Sequence, residues 1–216
     1  MSDRIRWGIL STAKIAETAF VPSLRQTQRG ELVAVASRDG ARAQEFARRH
    51  NIRHTFGSYD EMLASDNIDA VYIPLPNSMH AEWTQKAAAQ GKHVFCEKPL
   101  GVSAAEAQSM VDTCREAGVL LFEVFVFLYH AKSLKLRQIL GDGAIGDLVQ
   151  MTASFTFPLQ RPTDNIRMNR ELGGGNLMDV AATRSPTPGS SSVKSPSPCR
   201  RLAAWTPTTA STRVPR

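Results

Sequence analysis

Val94-Phe95-Cys96-Glu97-Lys98-Pro99-Leu100 is an apolar run that stops on an acid, a lysine and a proline. The apolar part reads as a buried strand. Pro99 fixes φ and removes an N–H, so the strand ends there and the loop is stiff. A lysine at the mouth of a core is costly unless it has a partner or a task. Glu97 is a candidate partner. At the C-terminal end of a strand in a parallel sheet, Lys98 would face the crevice where such folds bind ligands. A surface ion pair between Glu97 and Lys98 accounts for the two charges as well, so the neighbouring segments have to decide.

Upstream, Arg4–Leu10, Leu32–Ser37 and Ala70–Pro74 read as short apolar strands, and Lys14–Gln28, Ala41–His50 and Ser58–Ser65 as helices. Asn77 or Ser78 caps a helix that runs to Gln90 and stops at Gly91. Downstream, Ser103-Ala104-Ala105-Glu106 is a capping box opening a helix that ends at Gly118, and Val119–Val124 is the next strand. Strands alternating with helices at βαβ spacing imply a parallel, doubly wound sheet. The fold class is therefore α/β, with a Rossmann dinucleotide-binding domain over residues 1–122.

After Glu123 the pattern changes. His130–Leu140 reads as a helix, and Leu148–Phe157 alternates as a half-buried strand with Val149, Met151, Ala153, Phe155 and Phe157 on one side. Residues 123–180 read as a truncated α+β second domain. Of the 36 residues from 181 to 216, 19 are Ser, Thr or Pro, which predicts a disordered tail.

Composition narrows the function. The chain has 216 residues and a net charge of +6, yet the last 36 hold six bases and no acid. Residues 1–180 balance 20 bases against 20 acids, so the globular part has no surplus with which to attract a nucleic acid. No apolar run approaches a membrane span. The N-terminus leads straight into a strand, so no signal peptide is expected. Cys96, Cys114 and Cys199 show neither metal nor disulfide spacing, and a cytoplasmic setting is the expectation.

Three further stretches bear on a ligand. In Gly8-Ile9-Leu10-Ser11-Thr12-Ala13-Lys14-Ile15-Ala16, small residues stand where a dinucleotide turn has glycines, so that amides can approach a pyrophosphate. An ordinary tight turn fits those residues as well. Ser37-Arg38, with Arg42 one helical turn on, suits a 2′-phosphate better than a bare ribose, favouring NADP with NAD possible. Solvated charge at a helix start is the alternative. Pro74-Leu75-Pro76-Asn77 forms a rigid apolar ledge for a nicotinamide ring, with Asn77 capping the next helix and His80 in its first turn facing the crevice.

With these pieces in order, the chain resembles the glucose–fructose oxidoreductase/inositol dehydrogenase/rhizopine-catabolism (Gfo/Idh/MocA) family. The carriers are the first turn, Ser37-Arg38, Pro74-Leu75-Pro76-Asn77 with His80, and Glu97-Lys98-Pro99. Gly143-Ala144-Ile145-Gly146 and Gly173-Gly174-Gly175 with Asp179 extend the likeness to residue 180. It is nearest to the NADP-linked dihydrodiol and D-xylose dehydrogenases. The resemblance implies hydride transfer between NADP(H) and a sugar-like or diol substrate. Lys98 and Asp179 would be the catalytic residues, since the family pairs this lysine with an aspartate that Asp179 matches. Ser11, Thr12, Ala13, Lys14, Ile15, Ser37, Arg38, Arg42, Pro74, Leu75, Asn77, His80, Glu97 and Lys98 would hold the cofactor, with no metal. Full-length relatives would assemble as homo-oligomers through the second-domain sheet.

Two positions depart from the family pattern. Its proton-transferring histidine or tyrosine falls at Thr183, which cannot serve as an acid or base near neutral pH. Leu128 stands where the family carries an arginine. Read one base earlier, codons for Ala181 to Ser185 can specify Gly-Cys-Tyr/His-Pro-Ile, and those for Ala210 to Arg213 can specify Gly-Val-Asp-Glu, both family strings. The tail thus reads as a frameshift product, with cofactor binding kept and turnover lost. A non-catalytic NADP-binding module is the alternative function.

Overall fold

The strand–helix alternation folds into one six-stranded parallel sheet. The computed structural model describes residues 4–147, 149, 157–158, 165–175 and 178–179. In chain order, β1 (Ile5–Leu10) leads through a π-wound stretch, Ala16–Phe20, into α1 (Val21–Arg25), then β2 (Gly30–Ala36) and α2 (Gly40–His50). There follow β3 (His54–Phe56), α3 (Tyr59–Leu63), β4 (Ala70–Ile73), α4 (His80–Ala89), β5 (His93–Glu97), α5 (Ala104–Glu116) and β6 (Leu121–Val124). A helix α6 (Ala131–Gly141) and a 3₁₀ turn, Ile166–Met168, come after the sheet.

The strand order is β3-β2-β1-β4-β5-β6, with every pair parallel. The chain winds outward one way from β1, then returns and winds outward the other way from β4. The crevice at that reversal, off the carboxyl ends of β1 and β4, is where such sheets take ligands. Ile9 pairs with Tyr72, Ile73 with Cys96 and Glu97 with Val124, so the ends of β1, β4, β5 and β6 share one rim.

Alternation along each buried strand feeds two apolar layers. Leu10, Ala36, Val71, Ile73, Val94 and Cys96 pack under Tyr59, Trp83, Ala87 and Met110 on one face. Ile9, Val35 and Tyr72 pack with Val21, Phe46 and Ala47 on the other, with Phe20 and Phe95 against them. Each of the larger aliphatic and phenylalanine side chains withdrawn from water here contributes about 1.5–3 kcal/mol.

The elements differ from expectation in three places. The long helix over 14–28 is shorter and π-wound at its start, because Pro22 has no N–H to continue an α-ladder. Strand β3, absent from the sequence reading, is three residues long and pairs with β2 at the sheet edge. Asn77 does not cap α4: its side chain makes no capping bond, and a 3₁₀ turn, Asn77–Met79, precedes the helix. The capping box does form, with Ser103 Oγ accepting from Glu106 N and Glu106 Oε2 from Val102 N, one residue before the cap. The strand expected over 148–157 lies, apart from Val149 and Phe157, outside the described residues, as does the whole of 180–216.

Candidate functional site

The turn after β1 is made by a non-glycine residue with positive φ. Ser11 sits at φ 126°, and its hydroxyl accepts from Ala13 N at 3.0 Å. Ala13 O in turn accepts from Ala16 N, which starts the helical winding. Ser11, Thr12 and Ala13 are half-buried, and Lys14 and Ile15 are exposed at the mouth. The opening amides of a helix have no carbonyl ahead of them, so small side chains here leave room for an anion to use them.

At the end of β2, Ser37 is buried and its hydroxyl accepts from Asp39 N. Asp39 caps α2, accepting from Ala41 N and Arg42 N, so its carboxylate is committed. Arg38 and Arg42 are exposed and pair with no carboxylate among the described residues. Tyr59, which sequence reasoning missed, lies beside both. Burial pushes its phenol up while Arg38 and Arg42 pull it down. Only the crossing of α3 beneath the strand ends reveals it.

After β4, Pro74 and Leu75 are both buried. His80 does not open toward the crevice. It is 0% exposed, with Nδ1 2.8 Å from Pro99 O and Nε2 2.9 Å from Leu75 O. The ring bridges the ledge and the lysine loop from beneath. Burial lowers its affinity for a proton, and the two carbonyls oppose that. Asn77 Nδ2 donates to Gly173 O at 2.8 Å, tying the ledge to the glycine run.

The lysine loop separates the two candidate partners of Lys98, its neighbour Glu97 and the Asp179 that the family resemblance sets beside it. Glu97 does not hold the Lys98 ammonium. Its Oε1 accepts from the Tyr72 hydroxyl at 2.6 Å and its Oε2 from the Lys98 backbone N. Burial and the carboxylate together keep that phenol protonated. Lys98 Nζ instead donates to Asp179 Oδ1 at 3.0 Å and Asp179 O at 2.6 Å. The other carboxylate oxygen takes Arg167 Nε at 2.7 Å, a residue sequence reasoning also missed. Beneath, Glu123 accepts from Leu100 N at 2.8 Å, and burial raises its carboxyl pKa.

The structure therefore brings Lys98 and Asp179 into contact, with His80 and Leu75 behind them, on the same rim as the Ser11 turn. An ammonium held there can stabilise charge developing on a ligand oxygen. The donor set fits a phosphorylated dinucleotide: exposed arginines at one strand end, small side chains at the next, an apolar ledge beyond. Among the described residues there is no His/Cys/Asp/Glu cluster able to hold a metal, and no helix long and apolar enough to cross a membrane.

Residues 5–125 match the model for an oxidoreductase family with an NAD-binding Rossmann fold, and residues 133–182 match a GFO/IDH/MocA C-terminal domain. The chain is 42% identical to D-xylose 1-dehydrogenase (NADP(+)) 2 of Haloferax volcanii over 81% of its own length and 53% of the relative's. It is 38% identical to mouse (Mus musculus) trans-1,2-dihydrobenzene-1,2-diol dehydrogenase over 82% and 53%. A 3-ketoreductase from Actinomadura kijaniata, solved with NADP and TDP-benzene, superposes with a TM-score of 0.78 at 38% identity, covering 82% of this chain and 54% of that one. The chain spans about half the length of the curated relatives it matches.

Proposed function

The chain belongs to the Gfo/Idh/MocA oxidoreductase family, and from that premise we propose that it is built for hydride transfer between NADP(H) and a sugar-like or diol substrate. When bound, the nicotinamide supplies or accepts the hydride. The chain's own residues bind, orient and polarise. Ser11, Thr12, Ala13, Lys14 and Ile15 would surround the pyrophosphate, and Ser37, Arg38 and Arg42 the 2′-phosphate. Pro74 and Leu75 would back the nicotinamide, with Asn77 and His80 fixing that ledge from behind. Glu97, held by Tyr72, would line the ribose side. Lys98 would meet the substrate oxygen and stabilise its negative charge, with Asp179 aiming the ammonium. One observation carries this: the Lys98 ammonium stands on the same rim as residues 11–13, beyond the ledge, bound to Asp179.

The experiment is a titration with NADPH and NADH, followed by a hydride-transfer assay on a panel of aldoses and diols. NADPH should bind the tighter of the two. Equal affinity would remove the 2′-phosphate assignment, and no binding at all would remove the cofactor reading.

Thr183 favours a second reading, a non-catalytic NADP-binding module. It occupies the position where proton transfer is expected and cannot perform it. On that reading NADPH binds and turnover is negligible; ordinary turnover of a sugar alcohol would exclude it. The frameshift proposal for 181–216 rests on codon arithmetic alone, and independent sequencing of an intact frame through codon 181 would end it. On this proposal the Rossmann domain ends at residue 122, the second domain ends at residue 180, and assembly runs through the second-domain sheet.

A further inference from the structure

Asp179 answers to two cations. Its Oδ1 lies 3.0 Å from Lys98 Nζ and its Oδ2 2.7 Å from Arg167 Nε. The side chains of Asp179 and Lys98 are 15% and 22% exposed, so the pair is largely shielded from water, while Arg167 is 46% exposed. A lysine ammonium has three N–H bonds. Asp179 takes two of them, through Oδ1 and its backbone O, and leaves the third. A carboxylate with both oxygens free would turn both onto one cation. The guanidinium prevents that by occupying the second oxygen.

The glycine run explains how Arg167 is held. Arg167 O accepts from Gly175 N at 2.7 Å, and Arg167 N donates to Asn165 Oδ1 at 3.1 Å. A Cβ on Gly174 would stand 2.6–2.7 Å from the carbonyl oxygens of Asn169, Ile166 and Arg167. Leu172 O accepts from Ser78 N, and Gly173 O from Asn77 Nδ2, so the same saddle is fastened to the ledge.

We propose that Arg167 is a positioning residue, seated by the Gly173–Gly175 saddle, which holds Asp179 so that one N–H of the Lys98 ammonium stays free for the substrate oxygen. This deepens the oxidoreductase reading and rests on it for the identity of that oxygen. The other ionisable groups around the loop are Glu97, Glu123 and His80. Each is engaged by Tyr72 or by backbone groups of the loop and ledge, and among the described residues none bonds the ammonium.

The test measures acylation of Lys98 by acetic anhydride at fixed pH, read by peptide mass spectrometry in the full chain. Arg167→Gln should slow it several-fold, since Asp179 then closes on the ammonium. Arg167→Lys should restore it, and Asp179→Asn should speed it. In the Asp179→Asn background, Arg167→Gln should add nothing, because Arg167 acts through that carboxylate. An unchanged rate in Arg167→Gln, or the same slowing in both backgrounds, overturns the proposal. Arg167→Met serves if the glutamine variant does not fold. A parallel NADPH titration of the unmodified chain separates the two questions: failure to bind NADPH overturns the cofactor reading while the acylation series still decides Arg167.

Discussion

Arg38 and Arg42 stand at the end of β2 as exposed cations with no carboxylate opposite them among the described residues, while the adjoining acid, Asp39, is spent on capping α2. A hydrogen bond to a charged group is worth about 1.5–3 kcal/mol, so Arg38→Ala should weaken NADPH binding about tenfold or more and leave NADH nearly unchanged. Equal losses for the two cofactors would place the arginine elsewhere in the site. Glu123 offers a test of burial. Its carboxyl pKa is raised in the fold by desolvation, with Leu100 N opposing. The stability it contributes is therefore present in acid and lost as pH rises through the raised value. Glu123→Gln should match the wild type in acid and become the more stable protein as pH rises past about 4.3. Urea unfolding at several pH values checks this, and parallel curves would show that the carboxyl is effectively solvated. At this scale the sequence was readable where chemistry is local and misleading where two local charges suggested a pair. Glu97 and Lys98 are adjacent, yet the strand turns Glu97 to Tyr72, and the lysine meets Asp179, the acid that the family motif pointed to and adjacency did not. Tyr59 and Arg167 carried no local signal, because each gains its role only from what the fold sets beside it.

Elements with strong end signals were the ones legible in advance. Ser103 caps α5 as its capping box requires, whereas the cap read at Asn77 does not form. Short or strained elements were not: β3 has three residues and takes its identity from pairing with β2, and the winding ahead of α1 reflects a proline that composition alone does not turn into a π-turn. Two substitutions separate an element's contribution to stability from its contribution to the site. Ser103→Ala removes the cap of α5, whose Oγ accepts from Glu106 N at 3.1 Å, and should cost about 1 kcal/mol. NADPH affinity should be untouched. Gly174→Ala forces a methyl group against three carbonyl oxygens in a segment outside the sheet. Its melting temperature should move little, while Lys98 acylation shifts because Arg167 and Asp179 lose their seat. A large melting shift with unchanged acylation would mean that the saddle serves the fold instead of the site.

On the scale of the whole molecule, strand–helix alternation was enough to imply a parallel, doubly wound sheet, since parallel strands joined by crossover helices wind in one hand. It could not say which surfaces the sheet and its sequel leave bare. One face of the sheet is lined by a run of rings, from Phe20 on Tyr72 at 4.2 Å through Phe95 on Phe122 at 5.1 Å to Tyr129. The run ends in the open, with Phe122, Val126 and Tyr129 exposed. Helix α6 buries none of its residues and leaves Leu134 and Leu136 exposed, and Ile145 lies exposed beyond it. Scattered exposed leucines are ordinary, but so many large apolar side chains exposed between residues 122 and 145 favour association. The chain should therefore elute as a concentration-dependent oligomer, with a mass by light scattering that falls on dilution. Replacing Leu134 and Leu136 together by glutamate should shift it toward the monomer and leave NADPH affinity intact, because α6 takes no part in the rim formed by β1, β4 and β5. A monomer at every concentration would mean that this surface is satisfied within the chain, and the association argument would fall while the cofactor argument stood.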